Sequence, residues 1–284
     1  MSAQYDLCEA VSMKAELGEG PTWNAAAGRL LWVDILTSTI HSFDPSTGSL
    51  DTVTTFQHVG AVKPRAAGGL VVNLRDGIGL YGPGHEFTWL HHLPVSGCRG
   101  NDAAVAPDGA FWAGTMRYDE AYAGGTLSRV DADGDRTVVL DDVTVSNGIG
   151  WSPEGDRMYY IDSPTKRIDV FRYDEGRISG RAVFVEIESG AGVPDGLTVD
   201  AAGAVWVALW DGGQVRRYTP EGVLDRVLPL PVRRPTACAF GGADLTDLYI
   251  TTARVGLADP EPSAGSLYVI PGLGEGLPQA EFAG

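Results

Sequence analysis

The chain has 284 residues, 38 of them glycine, and a formal net charge of -16 at pH 7. Its pI near 4.6 argues against nucleic acid or an anionic membrane as partner, and no apolar run is long enough to span a bilayer. The N-terminus lacks the basic and apolar segments of a secretory leader, so a cytoplasmic protein is expected, with Cys8, Cys98 and Cys238 read as reduced, buried thiols.

Residues 6–16 read as one strand standing ahead of a repeated phrase. The phrase begins at Glu19 and returns at Asn101, Asn147 and Asp195, with weaker copies at Ala61 to Leu74 and Pro235 to Thr251. Each clear copy has a polar head, a short apolar run, a Gly-containing turn and a run centred on an aromatic, which is strand, tight turn, strand. Trp23 and Trp151 each lie four residues after their head, and Trp32, Trp112, Tyr160, Trp206 and Tyr249 centre the second strands.

Third strands follow at 38–44, 125–131, 167–174 and 214–219, and fourth strands at 137–140 and 182–185. Glu19 and Asn101 are 82 residues apart, two steps of 41, and the next steps are 46 and 48. Four short strands repeating in the forties mark a β-propeller blade. One blade cannot bury both its faces, so residues 1–284 are expected to form a single domain. The last blade runs short after Ser266-Leu-Tyr-Val-Ile270, and residues 6–16 are expected to complete it, because an unpaired edge strand invites aggregation. No amphipathic helix is predicted. Asp131, Asp133 and Asp135 imitate a calcium loop but lack its sixth-position Gly and its helices, so they are read as a turn.

The heads begin the innermost strands, so Glu19, Asn101, Asn147 and Asp195 should converge at one mouth of the channel. Two carboxylates and two amides, with no His, Cys or Lys, suit a divalent cation and leave positions open for water or substrate. Asn-Gly and Asp-Gly also simply start turns, and a single head would be read that way. Four in register carry the metal reading. Asp34 and Asp162, at the ends of second strands, are expected to hydrogen-bond a loop. The long loops 116–125 and 253–265 should overhang the site. His91 and His92 are read as structural, on an outer strand.

At these residues the chain resembles the senescence-marker-protein/gluconolactonase/luciferin-regenerating-enzyme family. The matching phrases are Leu17-Gly-Glu-Gly-Pro21, Arg99-Gly-Asn-Asp102, Phe111-Trp-Ala-Gly-Thr-Met116, Ser146-Asn-Gly148, Tyr159-Tyr-Ile-Asp-Ser163 and Pro194-Asp-Gly196. The resemblance implies a six-bladed propeller, four antiparallel strands per blade, with one divalent metal held by Glu19, Asn147 and Asp195. It implies substrate contacts from Arg99 and Asn101, and from an acidic residue after the Gly-Thr-Met phrase, for which Asp119 is the choice and Glu120 the alternative. The chain departs from the family in having Gly100 where Pro or Phe is usual.

The expectation is a hydrolase of carboxylic ester bonds, a lactonase that opens sugar (aldono-) lactones such as gluconolactone or a pentonolactone. Asp195 would be its general base and Asn101 a donor to the oxyanion. Oxygen ligands admit Ca, Zn, Mg, Mn or Fe(II). The rivals are a phosphotriester or fluorophosphate hydrolase and a non-catalytic calcium-binding or protein-docking propeller. A monomer is expected.

Overall fold

A computed structural model describes residues 5–84 and 86–284. Alternating sequences pair into six four-stranded antiparallel sheets. The inner strands of the six blades are Gly18–Asn24, Val59–Pro64, Cys98–Val105, Ser146–Trp151, Val193–Val199 and Pro235–Gly241. They contact one another in order, and the last contacts the first, so the ring is closed. The second strands are Arg29–Asp34, Leu70–Leu74, Phe111–Arg117, Arg157–Asp162, Val205–Trp210 and Asp247–Thr252. Their central aromatics Trp32, Trp112, Tyr160, Trp206 and Tyr249 are buried between blades. Trp112 meets Trp151 of the next blade edge-on, with ring centroids 6.0 Å apart, and Trp206 meets Phe240 in the same way at 5.8 Å. Such offset contacts suit the aromatic quadrupole and tie neighbouring sheets together.

Closure follows the expected pattern. Cys8–Val11 is the outer strand of the sixth blade and pairs antiparallel with Leu267–Ile270. The weaker copies start at Val59 and Pro235. The only helix among the described residues is a short 3-10 turn, Ser163–Thr165, and none is long and apolar enough to cross a membrane. Asp131 accepts the amide of Asp135 within a hairpin, as a turn residue does. One expectation is corrected. All three cysteines are free, but only Cys238 is buried and Cys8 is exposed, because its short outer strand faces solvent on one side.

The chain does not run out at Ile270. Residues 271–284 cross the face of the ring that carries the first hairpin turns. The amide of Ala201 bonds to Glu275 O at 2.8 Å, Phe282 N to Pro64 O at 3.0 Å and Ala283 N to Gly109 O at 3.0 Å. Phe282 is fully buried, its ring 6.1 Å from that of Phe111. This segment closes the mouth opposite the polar heads. Phe282→Ala is expected to cost about 3–5 kcal/mol, the usual range for deleting a buried aromatic. Denaturant unfolding reads it, and a loss under 1 kcal/mol, well below that range, would show the tail to be an ornament.

Candidate active site

All six inner strands lose register with their neighbour at the head position. A bulge inserts an unpaired residue and re-aims its side chain. In blade one the irregularity falls on Gly20-Pro21, and Gly20 takes the left-handed φ of 58° that favours glycine. In blades three, four and five it falls on Asn101-Asp102, Asn147-Gly148 and Asp195-Gly196. Neither Gly148 nor Gly196 has a positive φ, so neither Asn-Gly nor Asp-Gly is here a turn. These glycines allow close approach. A Cβ on Gly148 would lie 2.8 Å from Asp195 O, and one on Gly196 would lie 2.3 Å from Ala237 Cβ. Gly100 belongs with them, since a Cβ there would meet Asn73 Oδ1 at 2.6 Å.

The heads are anchored from behind. Asp34 accepts the amides of Glu16 (2.9 Å) and Leu17 (3.0 Å), just before the inner strand that carries Glu19. Asp162 does the same for Thr144 (3.1 Å) and Val145 (2.8 Å), ahead of Asn147. Both carboxylates therefore bond to loop amides, as expected, and hold the two heads at one height. Asn73 donates to Asn101 O and Gly114 O at 3.0 and 2.8 Å.

Glu19, Arg99, Asn101, Asn147 and Asp195 are all buried. A directed hydrogen-bond chain joins most of them. Arg99 Nη1 donates to Asn101 Oδ1 at 2.5 Å, and Asn101 Nδ2 donates to Asn147 Oδ1 at 2.6 Å and to Ser146 O at 2.8 Å. Asn147 Nδ2 then donates to Ser163 Oγ at 2.7 Å, and Ser163 to Pro194 O at 2.7 Å, beside Asp195. A guanidinium can only donate and a carbonyl can only accept, so the two ends fix the orientation of both amides. Both amide hydrogens of Asn101 are spent inside this chain, which leaves none for an oxyanion. Ser163 is the member that no head pattern marks, because it sits in the 3-10 turn after a second strand.

Glu19 and Asp195 make no ion pair among the described residues. Burial pushes the Glu19 carboxyl up to about 8, helped by the Asp102 charge and opposed by the Gly20 amide, Arg99 and Lys63. Burial, then the charges of Glu19 and Asp102, raise Asp195 well above the carboxylate range. A cation between them would remove this repulsion. Among the described residues no group of three or more His, Cys, Asp or Glu is arranged to hold a metal ion. Any cation here needs the mixed set of two carboxylates and the Asn147 oxygen, whose second lone pair is not engaged.

The two loop acids separate. Asp119 is turned outward onto Arg117, with two contacts of 2.8 Å, and these hold its carboxyl down near 2. Glu120 is also exposed, yet its charge reaches Arg99. Arg99 has an aromatic neighbour that sequence spacing does not reveal: its Cζ lies 5.9 Å from the centre of the Tyr118 ring. A cavity of about 340 Å³ lies at the opposite mouth, lined by Lys63, Asp102, apolar strand ends and Leu277 to Ala280. None of the four heads lines it. The buried Lys63 ammonium there partly offsets the burial that raises Asp102.

The chain belongs to the SMP-30/Gluconolactonase/LRE-like family, whose model matches residues 17–254. It is 38% identical to the 6-deoxy-6-sulfogluconolactonase of Pseudomonas putida over 288 residues, covering 96% of this chain and 97% of that one. It is 36% identical to the pentonolactonase XacC of Haloferax volcanii, covering 90% and 87% of the two chains. The crystal structure of regucalcin from Agrobacterium tumefaciens, described as a calcium-binding protein, superposes with a TM-score of 0.94 at 27% identity over 98% of this chain and 97% of that one.

The buried carboxyls make stability depend on pH in a definite direction. Glu19 rises from 4.5 to about 8 on folding, so the folded chain holds the extra proton between those values. Its contribution to stability is therefore full below about 4.5 and is lost as pH rises through 8. With chelator present, the melting temperature of the wild type should fall more steeply from pH 5 to 9 than that of Glu19→Gln. Parallel curves would show that Glu19 carries no such shift.

Proposed function

We propose that this protein is a divalent-metal-dependent sugar lactonase, a hydrolase of cyclic carboxylic esters. The observation that carries the reading is a pair of buried carboxylates, Glu19 and Asp195, that repel one another with no cation of the chain to pair them among the described residues. The lactonase relatives support the reaction class, and the calcium-binding relative supports the cation.

Glu19, Asn147 and Asp195 would hold the cation, which when bound supplies Lewis-acid polarisation of the lactone carbonyl. The chain's own residues do the rest. Asp195, kept ionised by the cation, accepts the proton of the attacking water as general base. Arg99 faces the substrate with the guanidinium nitrogens that the Asn101 bond leaves free. Asn101 acts as a positioning residue, since its oxygen holds Arg99 and its nitrogen orients Asn147. Of the two loop acids, Glu120 is the substrate contact, because Asp119 is occupied by Arg117.

Hydrolysis of glucono- and pentonolactones followed in a pH-stat tests the reading, with chelated protein given back each metal in turn. Activity should vanish on chelation and return with at least one cation. The cation should also raise the melting temperature of the wild type by mass action, and much less that of Glu19→Gln. Asp195→Asn, assayed at saturating cation, should lose two to four powers of ten in kcat, roughly the size of a general-base contribution. A near-normal kcat would make Asp195 a ligand only. No hydrolysis of any lactone under any metal would refute the reading itself.

A further inference from the structure

The corner of the mouth around Arg99 is rich in donors, in a chain whose formal charge is -16. Arg99 uses Nη1 for Gly100 O and Asn101 Oδ1, while its Nε and Nη2 make no hydrogen bond among the described residues. The Tyr118 ring backs the guanidinium. The Tyr118 hydroxyl lies 2.7 Å from Nδ1 of His58, the residue before the inner strand of blade two, and the two rings meet edge-on at 5.7 Å.

The protonation states follow from the surroundings. Burial lowers the pKa of His58, and Arg99 and Arg75 lower it further. Burial raises that of the Tyr118 phenol. A neutral imidazole accepting the phenol proton at Nδ1 carries its own hydrogen on Nε2, which has no partner among the described residues.

The nearby acids are largely occupied. Asp76 is paired with Arg75 at 2.7 Å and Asp119 with Arg117 at 2.8 Å. Glu19, Asp195 and Glu120 also act on Arg99 through their charges, but none of them pairs with it within ion-pair distance among the described residues. The corner thus offers a guanidinium edge and an imidazole N–H, with the phenol clasping the two walls together across blades two and three.

We infer that Arg99, His58 and Tyr118 form a subsite for an anionic substituent, so that the preferred substrates are sugar lactones carrying a phosphate, sulfonate or carboxylate away from the ring ester. This rests on the lactonase reading. Free N–H donors around a guanidinium recognise an anion by charge-assisted hydrogen bonds, which are about twice as strong as neutral ones. A neutral hydroxymethyl group in their place could accept from these donors but without the charge assistance, and the buried Arg99 guanidinium would gain least from it.

The test compares glucono-1,5-lactone with its 6-phosphate and with 6-deoxy-6-sulfogluconolactone on the metal-loaded enzyme. We expect kcat/KM to favour at least one charged lactone by about tenfold or more, the equivalent of 1.4 kcal/mol. His58→Leu and Tyr118→Phe should each pull that ratio toward one, mainly through KM for the charged substrate. The phosphate and sulfonate arms show which anion the subsite takes. Calorimetry with gluconate and 6-phosphogluconate reads the subsite without turnover, so the failure of the lactonase reading and of this inference can be told apart. A wild type that handles neutral and charged lactones alike, or a ratio that neither substitution changes, would overturn the subsite.

Discussion

The arrangement of the mouth depends on one directed chain of hydrogen bonds, from the Arg99 guanidinium through Asn101, Asn147 and Ser163 to the Pro194 carbonyl. It crosses blades three, four and five. Because its first member can only donate and its last can only accept, each link has a single polarity. A buried amide in such a chain is fixed in rotamer and in direction. The Asn147 amide is thereby held with its oxygen toward Asn101 and its nitrogen toward Ser163, and the Arg99 guanidinium is held without a carboxylate of its own. A propeller supplies the rigid frame. The chain converts a ring of similar strands into a site with distinct sides, one acidic and one rich in donors.

The acidic side is costly to build. Burying two carboxylates near each other, with Asp102 behind them, opposes folding unless they bind protons or a cation. Lys63 offsets part of this from the far side of the channel, but it is itself buried and cannot reach the heads. The surrounding structure carries the strain. Asp34 and Asp162 each take two backbone amides, and interlocked aromatics seal the blade interfaces. Local violation supported by global consistency is the usual signature of a functional site.

What the sequence disclosed follows the same division. Repetition exposed the strands, the ring, its closure by the N-terminal strand and the four heads, because symmetric positions must share chemistry. It could not expose what is unique to one blade. Ser163 lies in a 3-10 turn that, among the described residues, blade four alone has, and Tyr118 and His58 lie 60 residues apart on different blades. That Asp119 is engaged by Arg117 is likewise a feature of this one loop, which repetition could not disclose. The tail from 271 to 284 has no periodic pattern, since it pairs mostly through isolated backbone contacts across the far mouth. Cys8 looked like a core thiol by composition and is exposed because outer strands face solvent.

The bulges explain why the periodic reading of the heads succeeded even though its local logic was incomplete. Asn-Gly and Asp-Gly look like turn signals, and in isolation that is the better reading. In this ring the glycine permits backbone contact with the next blade, while the unpaired residue before it swings into the channel. One dipeptide thus serves packing and chemistry at once. That coupling limits what can change. The head is Asn in one of these blades and Asp in the next, while the glycine after it cannot gain a Cβ without pushing two blades apart. Rim residues such as Tyr118 and Glu120 are under no such constraint. Specificity is therefore free to drift at the rim while the reacting centre stays fixed by the close approach of the inner strands.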